Sequence, residues 1–425
     1  MISRIATSFS TLKAFAKMFA VASLLLVFSS CVWNDPSDTP DYLPLDDSEY
    51  PYANLPRVVI ETEDFREIRD TETKIPARFQ IYGKNKPESD VMFLTIKGRG
   101  TSSFKAMPKN SFKLEFDEKE AFFGMPKDKE WAVIANFADR TMLRNFATCR
   151  LSEWLGFDYS PKGQFVELYL NKNYMGIYLF SETIKAATNR VDIKKTPHSY
   201  LIEKTSYTQN GKNYVTTQNE NLFRVRYPKN LDESTEKILI DHLDSTEEIL
   251  GNESASLEQI NSLISPKEFY LYYWMQEFAK NSDGAFHRSV FLNWTQGEPI
   301  KFGPIWDLDM GYGSNFYEKE ISPYTGWLIK KSGWFQDILK RKTHWAEASL
   351  YWKENRNYFE QFVDSLDLYA NIIRKATLNE FKRWDVLNNT EFWGYKEPYH
   401  NYDEALDSLK SWTRQRIRWI DANLN

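Results

Sequence analysis

Two short segments hold carboxylates in surroundings that are otherwise apolar and aromatic. Residues 281–288 read Asn-Ser-Asp-Gly-Ala-Phe-His-Arg, and residues 303–313 read Gly-Pro-Ile-Trp-Asp-Leu-Asp-Met-Gly-Tyr-Gly. Asp307 and Asp309 are two positions apart, so in an extended backbone both side chains point to one face. Two like charges among Ile305, Trp306, Leu308 and Met310 repel unless a cation lies between them. A hard divalent cation with oxygen ligands supplies that compensation. Asp283 sits in Ser-Asp-Gly, which suits a plain turn as well as a reactive loop. Asp307 suits a metal ligand or a buried ion pair with Arg or Lys.

Ordered elements must present these residues. Ser265-Pro266 opens a helix in cap-then-proline order, and the stretch from Phe269 to Ala279 is apolar almost all round, which predicts a buried helix directly before Asp283. A hairpin follows, with strands over 289–294 and 299–306 leading to Asp307. Upstream, apolar alternation predicts strands at 58–62, 77–82, 92–97 and 111–116. Asp139 is placed to cap a helix with Met142, Leu143, Phe146, Leu151, Trp154 and Leu155 at helical spacing up to Gly156. Strands over 164–170 and 175–180 are joined by a turn at Asn171-Lys-Asn-Tyr, and residues 205–220 read as a polar excursion. From about Leu231 helices dominate. The Trp-rich stretch from Gly326 to Leu424 (Trp345, Trp352, Trp384, Trp393, Trp412, Trp419) reads as helical core. The fold class is α+β, with a β-rich N-terminal half carrying one helix and a helical C-terminal half.

The chain has 425 residues and a formal charge of −5 with both signs intermixed, so no basic block points to nucleic acid. At the N-terminus, Arg4, Lys13 and Lys17 precede an apolar run from Met18 to Phe28, too short for a comfortable membrane span. Ser29 and Ser30 then lead into Cys31. This resembles a bacterial lipoprotein signal, which implies removal of residues 1–30, lipidation of Cys31 and anchoring to a membrane of the cell envelope. Residues 31–55, rich in Pro, Asp and Ser, read as an extended, disordered tether. With Cys31 acylated, Cys149 is left without a disulfide partner and is expected in the core.

The order of elements is the layout of a two-lobed protein kinase, although Gly-x-Gly-x-x-Gly, His-Arg-Asp and Asp-Phe-Gly motifs are absent. The motifs resemble those of the spore coat protein H (CotH) kinase family, a group with a protein-kinase-like fold. The matching segments are 96–104 (Ile-Lys-Gly-Arg-Gly-Thr-Ser-Ser-Phe), 108–114 (Pro-Lys-Asn-Ser-Phe-Lys-Leu) and 124–131 (Gly-Met-Pro-Lys-Asp-Lys-Glu-Trp). Further matches are 138–145 (Ala-Asp-Arg-Thr-Met-Leu-Arg-Asn), 166–171, 174–179, 189–193, 281–284 and 304–309 (Pro-Ile-Trp-Asp-Leu-Asp).

The resemblance implies one kinase-like domain over 56–425, with an N-lobe over about 56–190 and a C-lobe over about 191–425. It also implies Mg-ATP-dependent transfer of phosphate to a protein Ser or Thr. Asp283 would be the catalytic aspartate at the acceptor hydroxyl. Asp307 and Asp309 would hold Mg²⁺. The loop from Gly98 to Phe104, with Arg99, Ser102 and Ser103, would cover the phosphates, and Lys109 or Lys113 would pair with them. Glu182, in Ser-Glu-Thr at 181–183, would lie at the hinge near the adenine. Arg144 either ties the helix to the acidic site or is a solvated surface residue, and His287 reads as a packing or hydrogen-bonding residue. Where family members commonly carry His-Asn, this chain has His287-Arg288, and an arginine cannot coordinate Mg²⁺. The alternative function is therefore a kinase-fold surface module that binds protein or glycan. A glycoside hydrolase fits less well, because it needs opposed carboxylates about 5–10 Å apart.

Overall fold

Seven strands close on themselves in the computed structural model, which describes residues 42–100, 103–314, 322–388 and 398–424. These strands are β1 (Arg57–Thr62), β2 (Ile75–Tyr82), β3 (Met92–Arg99), β4 (Ser111–Glu120), β5 (Asp128–Ile134), β6 (Gly163–Leu170) and β7 (Asn173–Glu182). The barrel order is β1-β2-β3-β4-β5-β7-β6. All pairs are antiparallel except the closing pair β1/β6, in which Arg57 stands beside Glu167. In β4, Phe112, Leu114 and Phe116 point inward while Lys113 and Glu115 point outward, as the two-residue period of a strand requires. Aromatic rings fill the interior. Phe79 packs edge-on to Phe116 at 5.0 Å, and Phe122 packs edge-on to Trp131 at 5.3 Å.

A one-turn helix, α1 (Ser103–Ala106), follows β3, and α2 (Arg144–Trp154) lies between β5 and β6. The Asp139 carboxylate accepts from the Arg144 backbone N–H at 2.8 Å, so it serves the first turn of a helix that starts later than its spacing suggested. Ala147, Leu151 and Leu155 of this segment belong to the larger apolar core beyond the barrel. Phe146 meets Tyr369 edge-on at 5.0 Å.

The expected helical half contains a second sheet, and this corrects the sequence reading. β8 (Ser199–Lys204), β9 (Asn213–Thr216), β10 (Leu222–Tyr227), β11 (Val290–Thr295) and β12 (Lys301–Phe302) form an antiparallel sheet in the order β12-β11-β8-β10-β9. The stretch read as a polar excursion contains β9. The hairpin before Asp307 is the β11/β12 edge of this sheet, and its second strand is only two residues long.

The helices that follow β10 are α3 (Glu233–Gly251), α4 (Leu257–Leu263), α5 (Pro266–Ala279), α6 (Gly333–Leu339), α7 (Lys342–Ile373), α8 (Thr377–Arg383) and α9 (Tyr402–Ala422). In α5 every residue from Phe269 to Ala279 is buried, as its all-round apolar sequence demands. Trp352 is fully buried, and Trp345, Trp412 and Trp419 pack against the same core.

The stretch from Leu43 to Leu55, read from the sequence as disordered, is docked on the fold. Leu43, Ala53 and Leu55 are buried, the Leu43 N–H donates to Gln80 Oε1 at 2.7 Å, and Tyr50 stacks on Tyr174 at 4.2 Å. Alternating Leu and Tyr among the Asp and Pro residues dock this stretch onto the barrel. The signal region, Cys31, Ser102 and Trp393 lie outside the described residues. Among the described residues no helix is long and apolar enough to cross a membrane. Cys149 is half-buried; burial and then the Glu182 carboxylate push its thiol up to about 12, so the thiolate is disfavoured.

Candidate functional site

A cleft of about 830 Å³ opens between the barrel and the second sheet with its helices. One wall carries Lys97, Gly98, Arg99, Ser103 and Lys113; the other carries Asp283, Arg288, Asp307 and Asp309. Chain order already explains much of this placement. The end of α5 releases the 281–288 turn, and the end of the β11/β12 hairpin releases the 303–313 turn beside it.

Several side chains fix the acidic turns. Asn281 is fully buried and donates through Nδ2 to the Asp307 carbonyl at 3.2 Å and to Gln276 Oε1 at 3.0 Å. Asn145, in the first turn of α2, accepts from the Leu308 N–H at 2.8 Å. Arg144 donates through Nε to the Gly311 carbonyl at 3.2 Å and forms a short ion pair with Asp139. Arg144 is thus buried and holds the 307–312 turn, the first of the two roles open to it in the sequence. Asp307 itself adopts a positive φ of 66° and accepts from Ser289 Oγ at 3.2 Å.

The carboxylates of this wall are compensated only in part, by Arg288 beside Asp283 and Arg144 beside Asp139. Burial, and then the carboxylates of Asp307, Asp283 and Asp139, push the Asp309 carboxyl far above the usual aspartate range. Asp309 retains some solvent access where it faces the cleft. Asn281 Oδ1 is buried with no hydrogen-bond donor in reach. Asp307 and Asp309 on the cleft wall offer carboxylate oxygens, the donor type a hard cation takes. Among the described residues no three His, Cys, Asp or Glu side chains group closely enough to enclose a metal. Mg²⁺ needs no such cage, since it keeps several waters and takes one or two carboxylates plus substrate phosphates.

Asp283 is mostly covered, and its Oδ1 lies 3.3 Å from Arg288 Nε. The Arg288 and His287 backbone N–H groups both reach the Asp283 carbonyl, at 2.9 and 3.2 Å. His287 is exposed, and its Nε2 lies 3.0 Å from Arg288 Nη2.

Lys113 and Lys109 have different surroundings. Lys113 projects from β4 into the cleft and forms a short ion pair with Glu130 of β5. Burial alone would raise the Glu130 carboxyl, but Lys113 and then Lys185 hold it at about 2. Lys109 precedes β4 instead of lying on it. Its ammonium is fully buried, 2.7 Å from Glu380 of α8 and 2.6 Å from the Ile177 carbonyl. Burial opposes both charges of that pair, and each charge offsets part of the other's cost. Both lysines border the cleft, and Lys113 is the more exposed of the two, its side chain 31% exposed against 0% for Lys109. The Glu182 side chain turns away from the cleft into a buried ion pair with Arg190 at 2.8 Å and accepts from Tyr159 Oη at 3.1 Å, while Thr183 and Ile184 line the cleft. Gly98 is required by packing, because a Cβ there would stand 2.3 Å from the Phe104 ring and 2.6 Å from the Asp70 carbonyl. Arg99 lies over the Trp306 ring at 4.9 Å, joining the two walls, and Ser103 lines the cleft at the start of α1.

The sequence reading did not assign Asn145, Asn281 or Glu130 to the site. Asn145 and Asn281 had a signal, since both are amides in matched motifs next to acidic residues. Glu130 had none, because its partner comes from the neighbouring strand.

Barrel, second sheet, helices and a cleft lined by both basic and acidic side chains define a mixed α+β protein. The model of the CotH kinase protein family matches residues 96–420, most of the chain, and the chain belongs to that family. Membership points to a kinase-like, phosphotransferase function. Comparison with curated proteins gives no match.

Proposed function

We propose that the chain is a Mg-ATP-dependent protein Ser/Thr kinase, with the barrel as the upper lobe and the second sheet with its helices as the lower. The observation that carries this is the pairing of two acidic turns, 281–283 and 307–309, on one wall of a cleft whose other wall presents Lys113 and the loop after β3. Asp307 and Asp309 would hold Mg²⁺, which when bound neutralises phosphate charge and orients the transferring group. Lys113, held in place by Glu130, pairs with a phosphate as a point charge. The backbone around Gly100 and Ser103 would cover the phosphates, and Thr183 and Ile184, which line the same cleft, would flank the base. Asp283 would orient the acceptor hydroxyl and take its proton as that oxygen bonds to the terminal phosphorus, while the bond from that phosphorus to the bridging oxygen breaks and ADP leaves.

Asp283→Asn should slow transfer of the γ-phosphate from labelled ATP to protein by ~10²–10⁴-fold, the usual worth of a positioned general base. Equal rates in both proteins would sink the assignment. Arg288 holds Asp283 in an ion pair and brings a positive charge to the site. Arg288→Asn should therefore raise the transfer rate by about 2–5-fold, in line with the loss of a partly exposed pair. A slower variant would mean that Arg288 assists the reaction.

A further inference from the structure

The cleft holds more positive charge than one bound nucleotide uses. Lys97 and Arg99 are two apart on β3 and share the face opposite buried Ile96 and Gly98. Across the cleft, Arg224 and Arg226 of β10 alternate with buried Phe223 and Val225, and so share one face as well. Lys212 directly precedes Asn213, which is in register with Val225, so it stands at the Arg226 end of the same hairpin. All five line the cleft.

Their counter-charges are few. Arg226 lies 3.3 Å from Glu203, and Lys97 lies 3.9 Å from Glu72, which is itself exposed. Among the described residues Arg99, Arg224 and Lys212 have no ion pair within 4.0 Å. Burial opposes the charge on each of Arg224, Arg99 and Lys97; Arg226 then repels Arg224, while Asp307 attracts Arg99 more than Arg226 repels it and Glu72 attracts Lys97 more than Lys212 repels it. Such a rim is held together best by an anion brought from outside. A nucleotide's phosphates already have Lys113 and the acidic turns' cation. The acceptor chain must reach Asp283 through this same cleft.

We infer that the rim of Lys97, Arg99, Lys212, Arg224 and Arg226 is an acceptor subsite that recognises acidic side chains flanking the Ser or Thr of a protein substrate. The inference rests on the kinase reading for the word acceptor. The recognition of an acidic peptide is measured independently of turnover. Planar guanidinium groups at 224 and 226 suit bidentate capture of carboxylates, while the lysines set the long-range field.

The test is fluorescence anisotropy on the purified full chain without nucleotide, using labelled Ser-containing peptides that are rich in Asp and Glu, in Gln, or in Lys. The acidic peptide should bind roughly tenfold or more tighter than the Gln peptide, with the preference fading at high salt. The double variant Arg224→Gln/Arg226→Gln should lose that preference, and Arg224→Lys/Arg226→Lys should keep most of it. Calorimetry should show Mg-ATP affinity unchanged in the Gln variant. Equal binding of acidic and Gln peptides by the unaltered protein would overturn the inference. So would loss of Mg-ATP affinity in the Gln variant with peptide preference intact, which would give the rim to the nucleotide. Tighter binding of single-stranded DNA than of the acidic peptide would also overturn it. Acidic-peptide preference in a protein that binds no Mg-ATP would uphold the rim's role and sink the phosphotransfer reading instead.

Discussion

Asp309→Asn should stabilise the protein in chelator at neutral pH and, in Mg²⁺, cut phosphoryl transfer by ~10²–10³-fold, the scale of losing one preorganised electrostatic group. Both effects come from one carboxyl. In the folded state burial and then Asp307, Asp283 and Asp139 raise its protonation range far above that of an unfolded aspartate. A group raised in this way contributes its full stability below about pH 4, the unfolded value. That contribution is lost progressively as pH climbs toward the raised folded value. Without divalent cation, the melting temperature of the unaltered protein should fall between pH 4 and neutrality by more than that of Asp309→Asn. Asparagine keeps the shape and removes the charge. Adding Mg²⁺ at neutral pH should raise the melting temperature of the unaltered protein and leave the variant nearly still. Thermal melts followed by circular dichroism across this range give the answer. Parallel pH curves for the two proteins would show that Asp309 carries no special strain.

Glu277→Ala is the most damaging single change expected outside the cleft, at about 3–5 kcal/mol of folding stability. Glu277 and Arg416 are both fully buried, with Arg416 Nη2 2.7 Å from Glu277 Oε1. The same carboxylate accepts from the Leu328 N–H at 3.0 Å and the Lys330 N–H at 2.8 Å. Truncation therefore strands a buried guanidinium without its counter-ion and two backbone donors without acceptors. Arg416 keeps hydrogen bonds to the Tyr324 and Gly326 carbonyls, which satisfy its donors but not its charge. The lesion sits one turn before Asn281, so the variant should also lose activity at temperatures where the unaltered protein is still folded. Urea unfolding reads the stability change, and a loss below about 1 kcal/mol would show that the pair is not what holds the end of α5.

The acidic turns were more legible in the sequence than the second sheet beside them. Asp283, Asp307 and Asp309 stood out because carboxylates among Trp, Ile, Leu and Met need a reason, and α5 announced itself by being apolar on every side. The barrel strands from 57 to 120 showed the two-residue period plainly. The second sheet did not. β8 is buried on both faces and so shows little alternation, β9 has four residues, and β10 followed a stretch whose Asn, Gly and Thr content read as loop. Lys109 and Lys113 could not be told apart by spacing, since the difference is made by Glu380, which lies 271 residues away and reaches Lys109 across the fold. Glu182 is a similar case. The family resemblance implied a place at a hinge, but its side chain is paired with Arg190 in the interior. Long-range partners of charged side chains carry no local signature, and that is where the residue assignments moved.

The central claim is that the two acidic turns and Lys113 make a Mg-ATP site. Isothermal titration of the purified protein with ATP, once in Mg²⁺ and once in chelator, tests it most directly. Saturable binding of one nucleotide per chain, present in Mg²⁺ and lost or strongly weakened in chelator, is the predicted result. No binding in either condition, or affinity that ignores the cation, would contradict it.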